Sequence, residues 1–271
     1  MATLAGLPPV LQALVAGLGT LLLTAAGAAL VVADRLGRGA VFDAMLGFAS
    51  GVMLAAAYWS LLEPAIAIAA ARGEISWLPA TAGLLAGTGF LAVADRLLPH
   101  LHPTLPITAA EGLPTRWSAT TLLILAITLH NFPEGLAIGV AFGTAAAEPV
   151  PGAPSFGAAV ALALGIALQN VPEGAAVALP LRAAGVSRWR SFLAGTASAV
   201  VEPLSAAIGA AATTRADAIL PYALAFAAGA MIYVVLEELI PSAHQGGRGD
   251  LATGAAMGGF TLMMVLDVAL G

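Results

Sequence analysis

Two stretches of this sequence place costly polar groups in the middle of apolar runs. The first is His130-Asn131-Phe132-Pro133-Glu134-Gly135, and Gln169-Asn170-Val171-Pro172-Glu173-Gly174 repeats its pattern. A carboxylate at the centre of a hydrocarbon layer costs roughly 2.5–3.5 kcal/mol or more, so it marks a functional site with a compensating partner. On a helix turning about 100° per residue, His130 and Glu134 share a face, and Asn131 meets Glu134 one turn on. Gln169, Asn170 and Glu173 repeat the arrangement. Facing each other from antiparallel helices, the two stretches line two adjacent pockets, one with His130 and Gln169, the other with Asn131 and Asn170. Glu134 and Glu173 serve both pockets, and Glu202 adds a further ligand. The expected chemistry is the binding of two cations, whose charge three glutamates balance once water or a proton is admitted.

The donor types narrow the ion. An imidazole with carboxylates and amide oxygens suits zinc, iron(II), manganese or cobalt and is poorly matched to copper(I). Met53, near the middle of another apolar run, is a candidate soft ligand that would favour zinc or cadmium over manganese; packing is the commoner role for such a methionine. Pro133, Pro172 and Pro203 each adjoin a glutamate. The first two cannot donate to the carbonyls of Leu129 and Leu168, and a free carbonyl at membrane depth must be satisfied by protein or water. There is no lysine, and the arginines lie outside or at the ends of the apolar runs. Nothing positive is present at depth to receive an anion.

The elements that must position these groups follow from composition. Apolar residues make up 60% of the 271 and charged residues 9%, against about 25% charged in ordinary soluble domains. Polar and Gly/Pro-rich breaks leave eight runs, at 7–33, 42–71, 77–98, 117–145, 156–181, 190–213, 218–241 and 251–270. Each approaches or exceeds the ~20 residues that cross a hydrocarbon core. The expectation is an all-α polytopic membrane protein, a single transmembrane domain over 1–271, with the lipid bilayer and no nucleic acid as partner. The first run begins without a basic segment, so it reads as a spanning helix and not a cleaved signal peptide. There is no cysteine, which excludes disulfides and thiolate metal sites. Glu134, Glu173 and Glu202 fall about 11 to 17 residues into their runs, near mid-bilayer at ~1.5 Å rise per residue. Arg35, Arg38, Arg96, Arg116, Arg182, Arg188, Arg190 and Arg248 occupy one set of connections, and Arg72 and Arg215 the other. That bias puts the first set in the cytoplasm and both termini on the extracytoplasmic side.

A second repeat supports an internal symmetry. Phe48-Ala49-Ser50-Gly51-Val52-Met53-Leu54, followed by Leu61-Leu62-Glu63-Pro64, is similar to Phe226-Ala227-Ala228-Gly229-Ala230-Met231-Ile232, followed by Leu236-Glu237-Glu238-Leu239-Ile240-Pro241. These lie on the second and seventh spans, which run in opposite directions, as do the fourth and fifth. One pseudo-two-fold axis in the membrane plane would relate spans 1–3 to 6–8 and span 4 to span 5, an arrangement of transporters with midplane sites.

These residues resemble the ZIP (Zrt/Irt-like) family of divalent metal transporters, in particular its bacterial GufA-like branch. The paired motifs at 130–135 and 169–174 and Glu202-Pro203 carry the resemblance. It continues through Asp43-Ala44-Met45-Leu46-Gly47-Phe48, Met53 and Ser60, then Gly229-Ala230-Met231-Ile232, Leu262-Met263-Met264 and Asp267. It implies a binuclear metal centre. His130, Glu134, Gln169, Glu173 and Met53 would form one site, and Asn131, Glu134, Asn170, Glu173 and Glu202 the other. It further implies inward transport, an elevator-like movement, homodimers and, for this branch, the bacterial cytoplasmic (inner) membrane. Many members carry histidine at the position of Gln169, and some at that of Glu237. The loop after the third span is often histidine-rich, whereas here it offers His100 and His102; with His244 these are candidate cytoplasmic ligands, or ordinary loop residues.

Asp43 and Asp267, near span ends, are expected to guide the ion or to cap helices, and Glu63 and Glu238 to act as gate or pathway groups. The function expected is transport of a divalent transition metal, zinc first, with cadmium, iron, manganese and cobalt as further candidates, and no enzymatic activity. A proton-coupled carrier of another cation is the alternative within transport. An intramembrane metal-dependent hydrolase would need more histidines and lacks the H-E-x-x-H pattern, and a metal sensor lacks an output domain.

Overall fold

The fold was obtained as a computed structural model, which describes residues 2–32, 39–101, 108, 110–146 and 150–271. Arg35, Arg38 and His102 lie outside the described residues. Eight helices are long and apolar enough to cross a membrane: α1 Pro9–Val32, α2 Ala40–Ala71, α3 Trp77–Leu97, α4 Ala119–Ala145, α5 Phe156–Ala183, α6 Arg188–Thr213, α7 Leu220–His244 and α8 Gly249–Leu270. No strand occurs among the described residues, only an isolated antiparallel bridge between His100 and Glu111. Exposed apolar side chains such as Leu22, Leu85, Ile208 and Val268 cover the outer faces. In water such a surface is an aggregation liability, whereas lipid tails accept it. The chain is an integral membrane protein.

Local chemistry sets the helix ends. Ser118, Ser155 and Ser187 open α4, α5 and α6, each side chain accepting from the backbone N–H three residues on, which satisfies a donor that a helix start leaves unpaired. Gly185 and Gly247 follow α5 and α7 at φ 90° and 72°, a left-handed backbone that only glycine adopts cheaply.

The helices pack in two groups. α1 lies against α5 and α6, and α4 against α6; α2 lies against α8, and α3 against α7. Without a hydrophobic drive between helices in lipid, such pairs depend on close van der Waals approach at small residues. Glycines supply it. A Cβ on Gly51 would stand 1.8 Å from the Ala256 carbonyl oxygen, on Gly87 2.0 Å from that of Phe226, and on Gly139 2.0 Å from that of Ala206. The two groups meet mainly where α5 faces α2 and α8, and α4 faces α7.

Three departures from regular helix were not anticipated. α2 is π-helical over Ala57–Leu62 and α7 over Val235–Leu239, each just before a proline-containing turn, Glu63-Pro64 and Ile240-Pro241. The wider π turn lets the helix run on through proline, so α7 continues to His244 where the sequence suggested a connection starting at Pro241. α6 is broken: residues 198–200 form a turn between Arg188–Ala197 and Val201–Thr213. Pro203 then sits in the first turn of the second half, where its missing N–H costs nothing.

Candidate metal centre

The motif glycines explain how the polar groups come together. A Cβ on Gly174 would stand 2.0 Å from the Thr24 carbonyl oxygen, and one on Gly135 2.3 Å from the Glu202 carbonyl oxygen. Glycine at these points brings the backbones of α1 and α6 against α5 and α4. That approach delivers Thr20 and Thr24 from α1, and Glu202 from the break in α6, to the glutamates of the two motifs.

Asn131, Glu134, Gln169, Asn170, Glu173 and Glu202 are all 2% exposed or less. Glu134 and Glu173 lie close to each other, with Gln169 beside both and outside hydrogen-bond geometry. Gln169 Nε2 donates to Asn170 Oδ1 at 2.8 Å. Asn170 Nδ2 lies 2.9 and 2.8 Å from the two Glu202 carboxylate oxygens and 3.0 Å from Thr24 Oγ1. Thr20 Oγ1 donates to Glu202 Oε2. Glu202 opens the second half of α6, at the positive end of that half-helix dipole.

The carboxylates of Glu134 and Glu173 are the unbalanced part. Neither oxygen of either group has a hydrogen-bond partner among the described residues, nor do Asn131 Oδ1 and Nδ2 or Gln169 Oε1. Leaving such atoms buried and unmet costs about 1–3 kcal/mol each, more when charged. Donor atoms this well supplied with lone pairs, with no arginine or lysine at their depth, are what a hard or borderline cation requires.

His130 has a partner outside its own motif. Its Nδ1 pairs with Glu238 Oε2 on α7 at 2.7 Å, so the imidazole turns toward the second helix group as well as toward its own motif. His130 and Glu238 line a cavity with Glu173, Leu46, Val234 and Ser242. These positions lie between the motifs and the arginine-rich end of the bundle. Met53 is 1% exposed within the main core, on a helix that packs against α5.

The remaining candidates are placed as follows. Ser60 Oγ donates to Asp267 Oδ1 at 2.6 Å near the opposite end, joining the π turn of α2 to α8. Asp43 is 2.8 Å from Arg248 Nη2, an ion pair joining the starts of α2 and α8. Glu63 and Glu237 are exposed on the outer surface, whereas Glu238 is buried. His244 Nδ1 donates to the Ile240 carbonyl at 2.8 Å, one turn earlier on its own helix. His100 lies 3.0 Å from Asp95.

The sequence reading missed Thr20 and Thr24. Their signal was present: two hydroxyls at i, i+4 on one face of an apolar span, with Gly17 and Gly27 beside them. It also missed the break in α6, for which Ala-Ser-Ala-Val-Val gives little local cue.

A bundle of eight membrane-spanning helices around buried, cation-ready carboxylates defines a class: polytopic membrane proteins with an ion site at depth. Comparison with known proteins makes it specific. The family model described as ZIP Zinc transporter matches residues 107–267. Zinc transporter ZIP11 of Homo sapiens is 42% identical, covering 99% of this chain and 100% of that protein. Zinc transporter GufA of Myxococcus xanthus is 42% identical over 79% of this chain and 81% of its own. Zinc transporter ZIPB of Bordetella bronchiseptica is 39% identical over 92% of this chain and 78% of its own. The chain belongs to the ZIP zinc transporter family.

Proposed function

We propose that this protein carries divalent transition metal ions, zinc first, across the bacterial cytoplasmic membrane into the cell, and that it is a transporter and not an enzyme. The observation that carries the reading is the pair Glu134 and Glu173, fully or almost fully buried, mutually close and without hydrogen-bond donors among the described residues. Two ions bridge there: one toward His130 and Gln169, the other toward Asn131, Asn170 and Glu202. The names of the relatives, all zinc transporters, support zinc as cargo.

The cavity beside His130, Glu173 and Glu238 supports the arginine-rich end as the exit. On the positive-inside rule that end is cytoplasmic and both termini lie outside. An ion leaving the bridge meets Glu238 next, since His130 already touches it. The pairing of α2 with α8 and α3 with α7, of α4 with α6 and α1 with α5, supports the inverted repeat: the axis exchanges the members of each couple of pairs. The glycine-packed groups support an elevator-like movement, in which α1, α4, α5 and α6 slide as one body against the other.

The test is metal accumulation in cells expressing the protein. Glu134→Ala and Glu173→Ala, at equal protein level, should reduce zinc uptake to that of cells without the protein. Unchanged uptake in both variants contradicts the proposal.

A further inference from the structure

The two helix groups treat their arginines differently at the arginine-rich end. In the group of α2, α3, α7 and α8, Arg248 pairs with Asp43 at 2.8 Å. Arg96 shares the electrostatic surroundings of Tyr233 with Asp95, Glu111 and Glu237. In the other group, Arg116 precedes α4, Arg182 lies in the last turn of α5, and Arg190 lies in the first turn of α6. No acidic residue occurs between Glu111 and Glu134, or between Glu173 and Glu202. Glu134, Glu173 and Glu202 themselves are buried at depth. The ends of α4, α5 and α6 pack together through Leu123, Ile127, Val177 and Leu181, with Val186 and Ala194 against them. One compact rim therefore carries three cations.

The rim sits at headgroup level. Only residues 184–187 join α5 to α6, so nothing there projects far beyond the helix ends. Arg182 Nη1 donates to the Val186 carbonyl at 3.3 Å, which uses one of the five N–H groups of a guanidinium and holds its plane over the connection. Trp117 and Trp189 stand beside the arginines and are exposed. Trp189 stacks on Phe192, with ring centroids 5.4 Å apart and 26° between the planes. Indole rings favour the boundary between hydrocarbon and water. Below Trp189, the exposed side chains of Leu193, Val200, Leu204 and Ile208 continue down the outer face of α6.

We propose that this rim binds an anionic phospholipid, whose phosphate-bearing headgroup is held by Arg116, Arg182 and Arg190. Trp117 and Trp189 flank the headgroup, and an acyl chain lies along Leu193, Val200, Leu204 and Ile208. The planar fork of a guanidinium matches phosphate oxygens, and each basic group beside an anionic membrane surface strengthens binding about fivefold. A zwitterionic lipid would bring its own ammonium into the same basic rim. Free phosphate would meet the arginines but make no use of the apolar stripe, so the continuity of rim and stripe selects a lipid. The site depends neither on which side of the membrane is cytoplasmic nor on the ion carried.

The test gives the full-length protein in detergent equimolar phosphatidylglycerol and phosphatidylcholine with matched acyl chains, and counts retained lipid by native mass spectrometry. The wild type should keep phosphatidylglycerol at severalfold the occupancy of phosphatidylcholine. Arg116→Gln/Arg182→Gln/Arg190→Gln should abolish the preference, with apparent affinity falling about fivefold for each arginine removed. Arg215→Gln, at the opposite end, should keep it. Phosphatidylglycerol with brominated acyl chains should quench the wild type more than Trp189→Phe, because the bound chain starts beside that indole. Equal occupancy of the two lipids in the wild type, or equal quenching of wild type and Trp189→Phe, overturns the proposal whether or not the triple variant folds. A folded triple variant that keeps the preference also overturns it. Displacement of the retained lipid by inorganic phosphate would make the rim a free-anion site and overturn the lipid assignment.

Discussion

His130 and Glu238 face each other across the boundary between the two helix groups, with Nδ1 and Oε2 2.7 Å apart. One belongs to the motif on α4 and the other to the π turn of α7. Under the proposed function the imidazole that would ligate the ion is shared with a carboxylate on the other helix group, which places Glu238 at the release step. Glu238→Gln keeps the shape and removes the charge. Zinc uptake should show a maximal rate about tenfold lower with a smaller change in half-saturating concentration, since the release step is affected and the bridging glutamates are not. Equal effects on both parameters would assign Glu238 to binding instead.

Thr20 Oγ1 donates to Glu202, and Thr24 accepts from Asn170 at 3.0 Å. A hydrogen bond to a charged group contributes about 1.5–3 kcal/mol. Thr20→Val, which keeps the side-chain shape, should therefore weaken the ion nearer Glu202 by roughly tenfold or more, while Thr20→Ser restores it. Isothermal titration with zinc should show one of the two central affinities falling and the other unmoved.

Gly174 faces backbone, not flexible side chains, where a Cβ would intrude. Gly174→Ala should push α1 from α5 and lower stability by about 1–3 kcal/mol. The readout is the thermal unfolding of the detergent-solubilised protein, with a fall of several degrees expected. Metal-binding stoichiometry should drop with it, because the same approach carries Thr20 and Thr24 to the site.

Gln169 is the unequal partner of His130, and its Nε2 is engaged with Asn170 Oδ1. Replacing an amide oxygen with an imidazole nitrogen shifts a site toward zinc in the order of divalent affinities. Gln169→His should raise the ratio of zinc to manganese accumulation when the two compete, measured by elemental analysis of cells supplied with both. A lower ratio would mean that Gln169 does not ligate the ion.

Much of this architecture is legible in the chain because lipid is an exacting solvent. Eight apolar runs of sufficient length must be helices, so the spans were found within a few residues, and buried glutamates stand out where every charge is costly. What escaped reading was set by packing. Nothing local distinguishes the π turns at Ala57–Leu62 and Val235–Leu239 from ordinary helix; Pro64 and Pro241 mark the neighbourhood, and the fold decides how it is absorbed. His130 pairs with Glu238, a carboxylate on an adjacent helix that no helical wheel of its own span includes. Asp43 reads as an ion guide or a helix cap, and its pairing with Arg248, over two hundred residues away in sequence, has no local signal. The threonines of α1 contribute only through their hydroxyls, and a lone hydroxyl in an apolar run costs too little to attract notice.

A two-ion bridge by Glu134 and Glu173 is open to anomalous diffraction at the zinc edge, on crystals grown with zinc. Two peaks are expected, one on each side of the glutamate pair, with His130 and Gln169 beside one and Asn131, Asn170 and Glu202 beside the other. A peak pattern that leaves both glutamates without an ion, or a single ion bound away from them, would contradict it.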